Sequence, residues 1–293
     1  MPTLDPGDSA QGDFRSAVAG APEAAAAEEW RARQLRVARV ARRILLANTD
    51  ACTVRGHDFG LETRPATLMS SGAPVAVVWP DGPAFRAGLR EGDLVRAVNG
   101  VPWSADRIER AQFNAALEAV SQGDRLELRV ERDGAVRTVT LISQQRCDAE
   151  VRLSPRTFVN ATAVDATIVI EGGLERLLPD DTELAFAVAH EAAHIIQGHT
   201  AAEQHGAIGD RPQRLAMERE ADALGLRLMA RAGYEPAAAA RAWPKIADAS
   251  RAPLLRLMDI HGPYMSTPER IAFLTDEAAR IATGPGRVHP LSR

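Results

Sequence analysis

Residues 190–194 have the pattern His-Glu-x-x-His, in which His190, Glu191 and His194 are the fixed positions. On an α-helix, positions i and i+4 lie on one face about one turn apart, so both imidazoles can reach the same metal ion. Glu191 lies about 100° around the helix from His190, where its carboxylate can act on a water at the ion without being a ligand. The pattern predicts a zinc site with a general base, which is the chemistry of metal-assisted hydrolysis.

A third ligand is expected from another helix, because a catalytic zinc site has three protein ligands and one open position. Residues 217–222 contain the candidates. Glu218 and Asp222 are four positions apart and share a helix face, whereas Glu220 lies about 200° from Glu218. We therefore predict Glu218 as the ligand and Glu220 as a surface charge. Asp222 would accept a hydrogen bond from the free ring N–H of a ligating histidine.

The helix that carries the motif is predicted to be buried, because apolar residues occupy almost every side of it. These residues are Ala185, Phe186, Val188, Ala189, Ala192, Ala193, Ile195 and Ile196. Burial of two histidines and a glutamate is costly unless they are paired or bind a metal. We expect this helix to start with a capping box of Asp180 and Glu183 and to end near Gly198. Further helices are predicted at about 212–232, 236–249 and 267–282.

Residues 53–143 differ from the rest in being rich in short strands and turns, with hairpin signals at 99–100 and 133–134. The segment 82–100 reads GPAFRAGLREGDLVRAVNG, which resembles the pattern of bacterial PDZ domains. In that family a peptide adds a strand to a sheet edge, and loop N–H groups hold its terminal carboxylate. The resemblance implies Phe59, Gly60 and Leu61 as the carboxylate-binding loop. An unrelated small β-rich domain is the alternative.

The remainder resembles the gluzincin family of zinc metallopeptidases, which includes the HtpX heat-shock proteases, the CAAX prenyl endopeptidase and the OMA-type mitochondrial protease. The resemblance is carried by residues 159–161, 168–174, 182–185, 190–194, Glu218 with Asp222, 232–236 and 267–271. It implies His190, His194 and Glu218 as zinc ligands and Glu191 as the base. It also implies Asp222 as the residue behind the ligands. By the same resemblance, residues 167–170 are expected to form an edge strand that holds the substrate backbone.

The chain departs from this family in two respects. Membrane members have hydrophobic spans, whereas no stretch here approaches the 18 or so consecutive apolar residues of a transmembrane helix. The late His-Pro pair of the family is irregular, since His261 is followed by Gly262 and lies farther from Arg270 than expected. His261 is a candidate for stabilising the oxyanion of the tetrahedral intermediate, with an ordinary surface histidine as the alternative. His199 and His205 are expected to be loop residues near the zinc helix.

The predicted fold class is α+β, with a mainly helical, zincin-like metallopeptidase domain and its small β-sheet, interrupted by a β-rich PDZ-like domain. We expect a flexible N-terminal tail at 1–23, an N-terminal helix of the peptidase domain at 24–51, the inserted PDZ-like domain at 52–146, the metallopeptidase domain at 147–283 and a C-terminal tail at 284–293. Arg36, Arg39 and Arg43 form a basic stripe on the N-terminal helix, which we interpret as a solvated face.

Cys52 and Cys147, the two cysteines of the chain, lie at the two ends of the predicted insertion. Because the ends of an inserted domain lie close together in its host, a disulfide between them is one possibility, and two separate buried thiols are the other. A disulfide would imply an oxidising compartment. No signal peptide is visible at the N-terminus. We expect a cytoplasmic protein if the sequence is complete, and a periplasmic one if the disulfide forms and an export signal was removed.

The composition is that of a globular protein, with 45% hydrophobic and 25% charged residues and a net charge of -4. This balance argues against a nucleic-acid partner. The function predicted from these features is that of a soluble zinc-dependent metalloendopeptidase with one Zn²⁺ per chain. The PDZ-like domain would recognise or gate protein substrates, in a role such as protein quality control. The alternative is a non-catalytic, PDZ-type scaffold that binds peptides on a peptidase fold.

Overall fold

A computed structural model describes residues 12–67, 69–200, 211–250 and 267–284. The chain divides into two compact units, one formed by Leu45–Ala149 and the other by the chain up to Ile44 together with the chain from Glu150 onward. The predicted inserted domain, residues 52–146, lies within the first of these units. Among the described residues, no helix has the length and apolar character needed to cross a membrane.

Helix α1 spans Gly12–Ala47. It starts before the predicted residue 24, so residues 12–23 of the predicted flexible tail are helical in the structure. Residues 21–27 read APEAAAA, and alanine has the highest helix propensity of all residues, which favours a helix that continues through this segment. Residues 1–11 lie outside the described part of the chain.

The unit Leu45–Ala149 is β-rich, as predicted. Its elements are strands β1 (Arg55–Asp58), β2 (Leu61–Thr63) and β3 (Ala73–Val78), helix α2 (Pro83–Arg86), strands β4 (Leu94–Val98) and β5 (Val101–Pro102), helix α3 (Arg107–Glu118), a 3₁₀ turn (Ala119–Gln122), and strands β6 (Arg125–Arg132), β7 (Ala135–Ile142) and β8 (Gln144–Cys147). The main sheet has the order β2-β3-β4-β6-β7, and β1 pairs with β8 separately. Alternate residues of β6 point inward onto Phe113 of α3, which is fully buried.

A disulfide joins Cys52 to Cys147, whose Cα atoms are 5.5 Å apart. The antiparallel pairing of β1 with β8, which places Arg55 opposite Cys147, brings the two ends of the unit together. Both cysteines are buried. Of the two possibilities that the sequence leaves open, the structure therefore has the disulfide.

Replacement of both cysteines by serine should lower the free energy of unfolding of this unit by about 2–4 kcal/mol, because the bond links residues 95 positions apart in the chain. Urea unfolding of the full chain, followed by tryptophan fluorescence, measures the loss. Dithiothreitol should destabilise the wild type to a similar extent and leave the double variant unchanged. A wild type that is equally stable with and without reductant would contradict the prediction.

The second unit contains a three-stranded sheet made of β9 (Glu150–Ser154), β10 (Ala161–Val164) and β11 (Thr167–Glu171). Its order is β10-β11-β9, with β11 antiparallel to β10 and parallel to β9. The prediction that residues 167–170 form an edge strand is therefore wrong, because they lie in the central strand, where Ile168 and Ile170 are fully buried. The strand at the edge beside the motif helix is β10.

Five helices follow this sheet in the described part of the chain: α4 (Gly172–Leu177), α5 (Asp181–Ile196), α6 (Arg211–Arg231), α7 (Ala238–Ser250) and α8 (Thr267–Thr283). The last three agree with the helices predicted from the sequence. Helix α5 carries the His-Glu-x-x-His motif and packs against α6, α7 and β10. Its first half is buried on nearly all sides, as its apolar composition predicts.

The start of α5 is capped by Asp180, whose carboxylate accepts a hydrogen bond from the Thr182 N–H at 2.9 Å. The predicted capping box does not form, because the Glu183 carboxylate is instead bound by the Lys245 ammonium of α7 at 2.6 and 2.8 Å. Glu183 is buried, so a cation on the neighbouring helix stabilises its charge more than the backbone N–H of Asp180 would.

In the basic stripe of α1, Arg39 and Arg43 are exposed, as predicted for a solvated face, whereas Arg36 is half-buried and binds acidic residues. Arg33 and Arg36 both bind the carboxylate of Glu175, at 2.6 and 2.8 Å, and the Glu175 side chain is only 4% exposed. Arg36 and Arg39 bind Asp181 in the first turn of α5 at 2.8 and 2.9 Å. Burial opposes ionisation of Asp181, but hydrogen bonds from Arg36 and Arg39 outweigh it and lower the pKa of this carboxyl. These ion pairs fasten α1 to the N-terminal end of the motif helix.

Candidate metal centre

The two helices that carry the predicted ligands approach each other closely at Gly225. A Cβ atom at this position would lie 3.2 Å from the backbone nitrogen of His190, a distance that only a residue without a side chain accommodates easily. Glu218, Asp222 and Gly225 are spaced i, i+4, i+7 along α6 and therefore share the face turned toward α5. This packing brings the carboxylates of α6 to the histidines of α5.

His190, His194 and Glu218 are brought together as the sequence predicts. The two Nε2 atoms of the histidines are 3.2 Å apart. One carboxylate oxygen of Glu218 lies 3.5 Å from His190 Nε2, and the other lies 3.6 Å from His194 Nε2. Tetrahedral zinc with bonds of 2.0–2.2 Å requires ligand atoms about 3.4 Å apart, so the three side chains fit the ion. Their roles as ligands stay predictions.

Asp222 lies behind His190, where the sequence predicts it. Its Oδ1 is 3.0 Å from His190 Nδ1, and the side chain is fully buried. Arg270 of α8 binds the same carboxylate through two hydrogen bonds of 2.7 and 2.8 Å. The guanidinium of Arg270 also lies 3.7 Å above the ring of Trp243, which stabilises the buried cation further. Arg270 belongs to the segment that resembles the peptidase family, but sequence reasoning assigned it no role.

His199, predicted as a loop residue near the zinc helix, does lie beside that helix, but it is helical and buried. Its Nδ1 lies 3.1 Å from His194 Nδ1. Its Nε2 lies 3.4 Å from the carboxylate of Glu220, whose side chain is 61% exposed. Glu220 is a surface charge, as predicted, but it contacts a residue of the site. The only sequence signal for this contact is the presence of His199 five positions after His194.

Glu191, the predicted base, lies next to His190 on α5 with its side chain partly exposed. This position is consistent with a group that meets solvent and substrate, whereas the ligands on either side point inward. His261, the predicted oxyanion-stabilising residue, and His205 lie outside the described residues.

The charges of the centre are strongly coupled. Burial would lower the pKa of His190, but hydrogen bonds to Asp222 and Glu218 outweigh it and raise the pKa to about 10. Burial and the positive charge of His190 lower the pKa of His194 to about 3. Burial also opposes the ionisation of Glu218 and Asp222, yet His190 and Arg270 lower the pKa of both carboxyls. Without metal, the raised pKa of His190 favours an imidazolium at this position, which lies between the carboxylates of Asp222 and Glu218.

Zinc binding should strengthen as the pH rises, because the ion must displace the proton that His190 carries below a pKa of about 10. The apparent association constant is expected to increase about tenfold per pH unit between pH 7 and 9. Competition with a chromophoric chelator of known pH dependence measures this slope. An affinity that is flat over this range would show that His190 is already neutral in the metal-free protein.

The predicted PDZ loop lies between β1 and β2. Phe59 is buried, and its carbonyl accepts the N–H of Ala84 at the start of α2. Gly60 has φ +73°, and a Cβ there would lie 2.8 Å from Gly82 Cα, so only glycine fits this turn. Leu61 begins β2, which is the terminal strand of the main sheet among the described residues. The loop therefore leads directly into a sheet edge, which is the geometry needed for strand addition.

Comparisons with known proteins confirm the predicted PDZ domain, whereas the role of the loop stays a prediction. Residues 56–142 match the family model of the PDZ domain. The chain thus contains a PDZ domain within the unit Leu45–Ala149. A comparison with curated proteins gives no match.

Solved structures that resemble the chain include PDZ domains of HtrA-type proteases. The HtrA3 PDZ domain bound to a phage-derived ligand is 28% identical with a TM-score of 0.26, over 31% of this chain and 88% of that one. The HtrA-type protease AlgW with a decapeptide is 26% identical with a TM-score of 0.25, over 32% of this chain and 30% of that one. The PDZ domain of EpsC from Vibrio cholerae is 22% identical with a TM-score of 0.21, over 28% of this chain and 74% of that one.

Proposed function

We propose that the chain is a zinc-dependent metalloendopeptidase of the gluzincin type, with a PDZ domain that recognises or gates protein substrates. The observation that carries the proposal is the meeting of His190, His194 and Glu218 from two helices, with ligand atoms 3.2–3.6 Å apart. Two imidazoles and a carboxylate are a donor set that zinc accepts, and three protein ligands leave one position for chemistry.

Bound zinc would supply Lewis acidity, which polarises a scissile carbonyl and acidifies the attacking water. Glu191 would accept the proton of that water and return it to the leaving amine, since it is partly exposed and follows His190 directly in α5. Asp222 holds the ring of His190 through Nδ1, and Arg270 holds Asp222. The substrate backbone would pair with β10, the edge strand that packs beside α5. Residues 167–170, which were expected to take this role, lie in the central strand of the sheet.

The replacement Glu191→Gln should lower the rate of casein cleavage by a factor of about 10²–10⁴, which is the usual contribution of a general acid-base group. Zinc content should stay at about one ion per chain, because Glu191 is not a ligand. Activity is measured by release of labelled fragments, and zinc by atomic absorption. Glu235→Gln, the same change at an exposed residue of the same unit, is the matched control. Full activity in the Glu191 variant, or a wild type without zinc, would contradict the proposal.

A second candidate function is a peptide-binding scaffold without catalysis. The PDZ match over residues 56–142 favours it, because peptide binding is the general property of that domain. The two candidates differ in one outcome. A scaffold would bind C-terminal peptides but leave casein intact, even with zinc and such peptides added together, whereas the peptidase would cleave it under one of these conditions.

Peptides with a free, apolar C-terminus should bind the PDZ domain, and the same peptides with an amidated end should bind at least about tenfold more weakly, since the loop would lose a charged acceptor. Gly60→Val should weaken binding to a similar degree, because φ at this position is +73°. Fluorescence anisotropy of labelled peptides on the full chain measures both effects. Gly134→Val, the same change at a glycine with φ +78° in the turn between β6 and β7 of the same unit, is the matched control. Equal binding of free and amidated peptides would place the peptide elsewhere.

The disulfide between Cys52 and Cys147 adds a proposal about location. Stable disulfides are typical of secreted and periplasmic proteins and rare in a reducing cytosol. We therefore favour an oxidising compartment for this peptidase, which suits a role in the quality control of exported proteins.

A further inference from the structure

His199 lies beside the metal centre, directly after the end of α5. Gly198 has φ +74°, a conformation that ends a helix. Its N–H bonds to the Ile195 carbonyl at 3.1 Å. The ring of His199 then lies against the ring of His194, with centroids 5.1 Å apart and planes at 68°. Its two nitrogens contact His194 Nδ1 at 3.1 Å and Glu220 Oε2 at 3.4 Å.

The direction of these hydrogen bonds follows from the roles of the ring atoms. His194 turns its Nε2 toward Glu218 and His190, so Nε2 is the ligand atom and Nδ1 must carry the proton. A neutral imidazole has one donor and one acceptor nitrogen. His199 therefore accepts the proton of His194 at its Nδ1, and the proton of its own ring is on Nε2. That Nε2 lies 3.4 Å from the carboxylate of Glu220, which is an electrostatic contact of matching sign.

His199 lies on the side of His194 that faces away from the other ligands. It contacts Nδ1, whereas Glu218 and His190 lie at Nε2. A fourth ligand would have to approach Nε2 of His194, so His199 is not placed to bind the ion. It corresponds instead to Asp222, which contacts Nδ1 of the other histidine at 3.0 Å.

We propose that His199 is a positioning residue for the metal centre, which fixes the tautomer and ring orientation of His194, and that Glu220 anchors His199 from the surface. This inference rests on the proposed zinc-peptidase function. Partners behind ligating histidines typically change metal affinity by 10–100-fold when removed.

Zinc affinity of the full chain tests this proposal, measured by competition with a chromophoric chelator. His199→Leu should weaken zinc binding by about 10–100-fold, because it removes the acceptor for Nδ1–H. His199→Asn should restore the affinity to within about threefold of the wild type, since its amide oxygen can occupy the position of Nδ1. The visible spectrum of the Co²⁺-loaded Leu variant should differ from that of the wild type. Equal affinity and equal spectra in the Leu variant would overturn the proposal.

Glu220→Gln provides a variant that does not depend on a change in the buried site, since this side chain is mostly exposed. It should weaken zinc binding by about threefold to tenfold, which is less than for His199→Leu, because Glu220 contacts His199 and not the ligand His194. Asp276→Asn, at an exposed residue of α8, is the matched control and should change nothing. If His199→Leu fails to fold, as judged by melting of the metal-free protein, unchanged affinity in the Glu220 variant overturns the proposal. A wild type that binds no zinc overturns the proposed function and this inference with it.

Discussion

Close contact between α5 and α6 is the constraint on which the candidate site depends. Gly225 lets the backbones approach at His190, and the residues one and two turns before it on α6 are Asp222 and Glu218. A Cβ atom at Gly225 would lie 3.2 Å from the His190 nitrogen, so the two helices would have to separate by a few tenths of an ångström to admit it. The site is thus set by helix packing, since all of its ligands lie in rigid elements.

This packing buries ionisable groups, whose charges must be balanced by opposite charges nearby. Glu218 and Asp222 are carboxylates in a buried setting, where an unpaired charge would cost several kcal/mol. His190 and Arg270 supply the opposite charges, and Trp243 covers the guanidinium of Arg270. Arg270 belongs to α8. The last described helix therefore helps to hold the carboxylates of Glu218 and Asp222 on α6.

The sequence predicted the components of the site that follow from helix periodicity. Spacings of four residues placed His190 with His194 and Glu218 with Asp222, and the turn pairs with Gly100 and Gly134 marked hairpins whose glycines have positive φ. Contacts between distant segments could not be predicted in this way. Glu183 pairs with Lys245, sixty-two positions away, and not with its own helix end.

Strand order and the position of His199 were likewise beyond the reach of local patterns. An alternating strand looks the same at the centre and at the edge of a sheet, so β11 was assigned to the edge that β10 occupies. The burial of His199 could not be predicted from local sequence, because it depends on the turn at Gly198 and on a carboxylate of another helix. In both cases the outcome was decided by tertiary neighbours.

The bond between Cys52 and Cys147 closes the PDZ-containing segment into a covalent ring. If a peptidase nicks the chain at any point between these residues, the amino-terminal and carboxyl-terminal pieces stay linked as one molecule. Such a nicked form migrates as the intact protein in denaturing gels until the sulfurs are reduced. Self-processing within this ring would therefore leave α1 covalently joined to the helices that carry the metal ligands.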